Sequence, residues 1–430
     1  MAAHQDRQPM PKLIDGENAA GRSSSWLKWS LLGVAAGTTA LSVAAAGSSA
    51  LAGYFARRVV TPEKEQPDDL AILAVLREGD EFHIVLPATK DTTVDGVYGL
   101  AFDAGSGQAR IGAIRSYVPR EGSVTRVVEE VLEGDLQHAL RGRLTGAVYR
   151  DPSELGLAAE EVLINLSVGP APAWIVPAEP SRALSTWAIM VHGRGARRTE
   201  GLRAVRTARE LGLTSLLISY RNDGDAPETA DGLYGLGFTE WRDVEAAIEF
   251  ALSRGAKDIV LFGYSMGGAI SLQLVDQSRY RSQVIALVLD SPVINWIDVL
   301  AHQAALNKVP AAIGRYGQLM LSHPLGRRIT GLAAPVDLKS MDWVSRAVEL
   351  RTPTLIMHSR DDDFVPYGPS KELARRNPEM VTFVEFSQAG HTREWNVDAA
   401  RWEAVVTAWL VPRLGRYELP RDTVPEEYRD

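Results

Sequence analysis

The stretch Asp258–Ser271, DIVLFGYSMGGAIS, sets one hydroxyl, Ser265, between Gly263 and Gly267 at the point where an apolar run stops. A serine hydroxyl is a weak nucleophile near neutral pH and needs a neighbouring base to take its proton. Glycines two residues to either side allow backbone and helix to approach closely, as a strand-to-helix corner that exposes a serine requires. A plain Gly-rich turn would carry the same letters. The rest of the chain must therefore supply a base, a carboxylate and donors for an oxyanion.

Four histidines follow Ser265: His302, His323, His358 and His391. His302 and His323 fall in an irregular insertion, and His358 ends a buried apolar strand, where a satisfied structural histidine is the expectation. His391 lies in SQAGHTREW, a loop between the last expected strand and the final helix, and is the expected base. An imidazole that takes a proton needs a carboxylate to fix its tautomer and stabilise its cation. MHSRDDDFVP (357–366) offers Asp361, Asp362 and Asp363 after the preceding strand; two of the three are expected to be solvated. The oxyanion formed on attack needs preorganised donors. VHGRG (191–195) supplies one turn, in which Gly193 lets the backbone turn its N–H groups inward. The Arg194 N–H from this turn and the Met266 N–H beside Ser265 are the expected pair. The side chains of Arg194, Arg197 and Arg198 read either as a solvated rim or as recognition of an anionic substrate.

These residues need a frame that brings distant loops together. From Thr186 strands and helices alternate: TWAIMVHG, a helix at 199–212, TSLLISY, a helix at 239–255, DIVLFG, GAISLQLVDQ, VIALVLD, PTLIMHS, VTFVEF and a last helix near 398–411. Such alternation implies a mostly parallel sheet covered by helices on both faces. The insertion at about 296–350 is expected to form a small helical cap, whose Leu, Ile and Met content fits an apolar acyl site. Residues 70–180 read as a β-rich accessory module of short strands separated by Gly, Asp and Pro, with no motif that carries chemistry.

The chain has 430 residues, enough for full hydrophobic cores, and a net charge of −8 with no basic stripe, which argues against nucleic acid as a partner. It has no cysteine, so disulfides, thiolate metal sites and a cysteine nucleophile are excluded. From Trp29 to Ala56 there is no charged residue, and Trp26, Trp29, Tyr54 and Phe55 flank the run. A membrane-crossing helix needs roughly 20 apolar residues. Residues 26–58 are accordingly expected to be a single-pass membrane anchor, with a tail at 1–25 and a linker at 59–69. Arg22 and Lys28 balance Arg57 and Arg58, so orientation is not fixed by charge. ALAG at 50–53 also resembles a cleavage site, which would release a secreted protein; a buried helix is the third reading. Residues 416–430 form a polar tail.

Taken together, the elbow, the HG turn, the aspartate loop and the late histidine resemble an α/β-hydrolase over about residues 180–415. The family pattern HGxxDxxVP is matched by His358–Pro366 with Ser359 in place of glycine, and the resemblance assigns the acid to Asp362. Asp290, at the end of ALVLD, is the alternative, because in this fold the carboxylate can come from the preceding strand. Arg194 is a second departure, since many relatives carry an apolar residue there. YRNDGDAP, TEWRDVEAAI and GHTREWNVD resemble membrane-anchored bacterial members near the dienelactone-hydrolase and prolyl-oligopeptidase branches. The resemblance implies a serine hydrolase that cleaves an ester of a small-molecule acyl substrate through an acyl-enzyme, with neither cofactor nor metal. A peptidase on short peptides, an acyltransferase and a catalytically silent binding protein are the competing expectations.

Overall fold

The computed structural model describes residues 49–63, 66–79 and 81–415. The expected tail at 1–25, most of the expected span and the tail at 416–430 lie outside the described residues.

Two sheets organise the rest. The first is antiparallel, with β1 (Leu70–Ala71), β2 (Ala74–Glu78), β3 (Glu81–Pro87), β4 (Tyr98–Phe102), β5 (Gly107–Val118), β6 (Ser123–Glu133) and β7 (Arg141–Thr145) in the order β1-β7-β4-β5-β6-β3-β2. Its buried side packs Ile84, Leu86, Tyr98, Leu100, Phe102 and Ile111 into a core of its own. Arg126 is buried there too, and its guanidinium donates to the carbonyls of Gly112, Thr92, Val94 and Gly96. A cation so placed replaces its lost hydration with four acceptors and fixes the loop between β3 and β4.

The second sheet has the order β15-β14-β13-β12-β10-β11-β9-β8. β10 (Thr186–Val191), β11 (Thr214–Ile218), β12 (Asp258–Tyr264), β13 (Val284–Asp290), β14 (Thr354–Ser359) and β15 (Val381–Phe386) are parallel. β10 and β14 are buried along their whole length, as expected of strands covered on both faces. β8 (Glu160–Leu166) and β9 (Gly169–Val176) add an antiparallel edge through β11. These two strands were expected in the accessory module, whose own sheet ends at Thr145. A short alternating strand looks the same in sequence whichever sheet it pairs with.

The helices are α1 (residues 49–60), α2 (Leu202–Glu210), α3 (Trp241–Ser253), α4 (Met266–Gln277), α5 (Trp296–Leu306), α6 (Ala311–Ser322), α7 (Arg327–Thr330), α8 (Gly368–Arg376), α9 (Glu394–Val397) and α10 (Ala399–Leu410). On one face of the sheet, Leu261 and Leu289 pack with Val244 and Ala247 of α3 and Ile270 and Leu274 of α4. On the other, Val260, Phe262 and Val288 pack with Val205 of α2 and Trp402 and Val406 of α10. Neighbouring strand residues thus serve opposite faces, the period-2 alternation of a strand.

Helices α5, α6 and α7 occupy the insertion expected to form a cap. It is tied to the loop after β14, where His302 Nε2 bonds the Asp363 carbonyl and Gln303 donates to that of Phe364.

The expected single-pass anchor is corrected here. Among the described residues no helix is long and apolar enough to cross a membrane. The end of the expected span faces protein: Ala52 and Ala56, with Val60 just beyond it, are spaced at helical intervals on α1 and buried in the same core as α3 and α4. Gly53 presses on α7 so closely that a Cβ there would stand 2.6 Å from Ile329. Small residues that satisfy a hydropathy argument also permit close helix packing, and packing is what these do.

Candidate active site

Strand β12 ends at Tyr264 and α4 begins at Met266, which leaves Ser265 alone at the corner with φ 52° and ψ −115°. A non-glycine residue in this region costs on the order of 1–3 kcal/mol and persists only where its surroundings impose it. The surroundings are close backbone. A Cβ on Gly263 would meet the Gly267 carbonyl at 2.8 Å, and one on Gly267 would meet the Val191 carbonyl at 2.0 Å. Both glycines are therefore required by space rather than by flexibility.

The parallel register aligns Val191 with Gly263, and Tyr264 with Asp290. The loops after β10 and β12 consequently open at the same edge of the sheet. β11 lies on one side of β10 and β12 on the other, so this edge is a topological switch point, where α/β sheets form clefts.

Three of the residues singled out by sequence come together there. The Ser265 hydroxyl donates to His391 Nε2 at 2.7 Å, and His391 Nδ1–H donates to Asp362 Oδ2 at 2.7 Å. With Nδ1 protonated by that bond, Nε2 keeps its lone pair for the serine proton. Asp362 is almost fully buried. Its Oδ1 accepts the N–H groups of Phe364 and Val365, both at 2.9 Å, and Oδ2 also accepts His358 Nε2–H at 3.2 Å. Burial works against its ionisation, but the neighbouring imidazoles of His391 and His358 hold it far below the usual carboxylate range. Burial likewise favours neutral His391, yet the Asp362 carboxylate outweighs it, and the imidazole is raised above 6.5. The Phe364 ring lies 5.1 Å from the His391 ring and covers it.

The other candidates stand apart. Asp361 Oδ2 accepts the Gln388 N–H, and Asp363 pairs with Lys90 at 3.0 Å. Asp290 is buried beneath Ser265, whose N–H donates to its carbonyl; its carboxylate accepts Trp402 Nε1–H at 2.9 Å rather than His391. His302 binds the cap to the acid loop, and His323 accepts the Leu325 N–H.

Gly193 sits against Ser265, close enough that a Cβ would stand 3.2 Å from the serine Cβ. The N–H groups of Arg194 and Met266 belong to the two backbone segments that flank the hydroxyl. Met266 opens α4, where N–H groups have no intrahelical acceptor. The three arginines of the rim are engaged elsewhere. The Arg194 guanidinium bonds carbonyls of α1, Arg197 pairs with Asp225 at 3.3 Å, and Arg198 pairs with Glu161 at 2.8 Å over the Trp174 ring.

Sequence reasoning missed the residues that hold these loops. Glu200 accepts the Gly193 N–H at 2.7 Å with one carboxylate oxygen and faces Thr392 with the other. Arg203, buried on α2, donates to the Thr392 carbonyl and to Asn396 Oδ1, each at 2.7 Å. The signal for Arg203 was a charge inside the apolar stripe of a helix (Leu202, Val205, Ala208). His358, by contrast, was expected as a satisfied structural histidine and is one: it is fully buried, with Nδ1 bonded to Ser370 Oγ at 2.8 Å and Nε2 to Asp362. His192 is pushed down to about 4 by burial and is therefore neutral; it stacks on Tyr220, whose hydroxyl donates to the carbonyls of His192 and Gly193.

Residues 71–145, the antiparallel sheet, match a domain of unknown function (DUF8805). Among solved structures, an esterase from Pyrococcus furiosus is similar at 18% identity and a TM-score of 0.48, over 62% of this chain and 95% of that one. A thermophilic esterase from Thermogutta terrifontis is similar at 18% identity and a TM-score of 0.43, over 60% of this chain and 100% of that one. A serine hydrolase without a lid from Xanthomonas campestris is similar at 16% identity and a TM-score of 0.42, over 60% and 97%. The model of the alpha/beta hydrolase family matches residues 188–408, just over half of the chain, from within β10 to within α10 and including Ser265, Asp362 and His391; the chain belongs to that family.

Proposed function

We propose that this hydrolase is a serine esterase that works through an acyl-enzyme. The observation that carries the reading is the unbroken chain from the Ser265 hydroxyl to His391 Nε2 and from Nδ1 to buried Asp362, with both bonds at 2.7 Å. Ser265 Oγ attacks the acyl carbon while His391 Nε2 takes its proton. The carbonyl oxygen becomes an oxyanion held by the Arg194 and Met266 N–H groups. Collapse breaks the acyl–oxygen bond, and His391 gives its proton to the departing alkoxide, which leaves as alcohol. Water then repeats the sequence: His391 removes a proton, hydroxide adds to the acyl carbon, and Ser265 departs reprotonated. Asp362 holds the imidazole tautomer and stabilises its cation, without itself taking a proton.

The engagement of the rim arginines weighs against an anionic substrate, since each already has a partner of its own; ester against peptide is decided by turnover. A panel of p-nitrophenyl esters of increasing acyl length, set beside aminoacyl p-nitroanilides, tests this. Turnover of the esters that disappears in Ser265→Ala supports the reading. Preferential cleavage of the anilides would replace it with a peptidase.

A further inference from the structure

Arg194 offers its N–H to the oxyanion in the reading above, but its side chain turns away from Ser265. Nε donates to the Val59 carbonyl at 3.0 Å, and Nη2 donates to those of Arg58 at 3.0 Å and Thr61 at 2.9 Å. These acceptors close the last turn of α1. The final carbonyls of a helix have no intrahelical donor and carry the negative end of its dipole, so a guanidinium there forms charge-assisted bonds. The remaining carbonyls of the turn are also satisfied, Arg57 by Thr61 and Val60 by the Tyr234 N–H at 2.8 Å.

The next residue is held just as firmly. Gly195, at φ 68°, gives its N–H to Asp223 at 2.9 Å and its carbonyl accepts Gln66 Nε2–H at 2.8 Å. Gln66 in turn accepts from Arg143 of β7. Tyr234 lies under the Arg194 guanidinium, 5.5 Å away, and its hydroxyl also faces the Gly195 N–H. A loop of two residues is thus clamped from the N-terminal side by α1 and the linker, and from beneath by Asp223 and Tyr234. The same helix rests on α7, with Gly53 against Ile329 and Arg57 donating to the Thr330 carbonyl.

We propose that the last turn of α1 and the linker behind it hold the oxyanion loop in register, through the Arg194 side chain and Gln66, so that turnover depends on the N-terminal segment. The inference rests on Ser265 being the nucleophile and the Arg194 N–H an oxyanion donor. Arg194 is then a positioning residue through its side chain, quite apart from its backbone. An oxyanion donor is worth about 10²–10³ in rate, and a displacement of roughly 1 Å costs about 10².

The test uses the full chain and p-nitrophenyl butyrate. Arg194→Met keeps the backbone N–H and the length of the side chain but removes every bond to α1. It is expected to lower kcat by about 10- to 100-fold while KM stays within about threefold, because the donor acts on the tetrahedral state and not on the bound ester. Affinity for an aliphatic trifluoromethyl ketone, which forms the tetrahedral adduct on Ser265, should fall by the same factor as kcat/KM. Gln66→Leu should lower kcat in the same way, by less. Arg194→Lys, with a single point charge, should recover part of the loss. Should Arg194→Met not fold, Arg194→Lys and Gln66→Leu carry the test. Wild-type kcat in every folded variant overturns the proposal, as does a loss confined to KM, which would make Arg194 a substrate-binding side chain. Ser265→Ala in the same assay separates the two readings. Hydrolysis surviving there defeats the nucleophile itself, whereas Ser265-dependent hydrolysis at full kcat in the variants defeats the clamp alone.

Discussion

At the scale of single residues, two buried aspartates lie near His391, Asp290 at the end of β13 and Asp362 in the loop after β14, and their partners divide them. Asp362 touches the imidazole; Asp290 touches Trp402, and its other oxygen is buried without a donor of its own. The same is true of one oxygen of Glu394, whose pKa burial and the adjacent Asp290 raise well above the usual carboxylate value. One proton held between these two carboxyls satisfies both oxygens. Asp362→Asn is expected to lower kcat by a factor on the order of 10⁴, by analogy with the effect of that change on a serine-protease triad. Asp290→Asn still accepts from Trp402 and can donate to Glu394, so its kcat should stay within about threefold of wild type, a change of roughly 0.7 kcal/mol in the barrier. Steady-state kinetics on one ester decides; a collapse in Asp290→Asn with a mild Asp362→Asn would exchange the roles. The pH profile follows from the same contacts. The base must be neutral to accept the serine proton, and Asp362 raises the His391 pKa above 6.5 despite burial. The ratio kcat/KM should therefore fall as pH drops through that raised value. In Asp362→Asn the main opposition to burial is gone, with only the more weakly acting Glu200 and Asp290 left to raise the imidazole, and the acid limb of the residual activity should move to lower pH. A limb that stays in place would mean that another group sets it. Spacing alone left Asp361, Asp362 and Asp363 level; what separates them is that the turn closed by the Phe364 and Val365 N–H groups points one carboxylate inward.

The elements show why so little of the site's support is local. The antiparallel sheet reads in sequence as a module without chemistry, yet its loops grip both the acid and the base loops. Lys90 donates to the Asp361 carbonyl at 2.7 Å, and Asp91 pairs with Arg393 at 2.9 Å. Asn396, buried on α9 five residues after the base, donates to the carbonyls of Val97 at 2.8 Å and Gly146 at 3.0 Å and accepts from Arg203. Asn396→Ala takes the donor from the Val97 and Gly146 carbonyls and one acceptor from Arg203, and should cost about 1–3 kcal/mol of stability. It should also lower kcat, because it frees the base loop from the module. Denaturant melts and kinetics on the same preparation check both; a stability loss with unchanged kcat would make the contact structural only. The strand-to-helix corner at Ser265 was legible because Gly263 and Gly267 answer a local steric need. The pairing of β8 and β9 with β11, and the bonds from Arg194 to α1, were not. Nothing in a strand's alternation names its partner sheet, and the carbonyls that Arg194 meets lie more than 130 residues away in the chain.

Across the whole chain, hydrophobic patterning gave the parallel sheet and its two helical layers, while the apolar run ending at Ala56 misled. Ala and Gly suit lipid and close helix contact alike, and only burial of Ala52, Ala56 and Val60 in protein separates the two. The proposed chemistry of the assembled molecule comes down to one oxygen atom, Ser265 Oγ. Wild-type protein treated with a fluorophosphonate should gain a single adduct, located by peptide mass spectrometry at Ser265. The adduct should be absent from Ser265→Ala, a change that removes one oxygen and leaves both flanking glycines in place. Labelling should also slow sharply in His391→Ala, where no base remains to take the proton. Rapid labelling that persists in Ser265→Ala, or none at all in folded wild-type protein, would contradict the account.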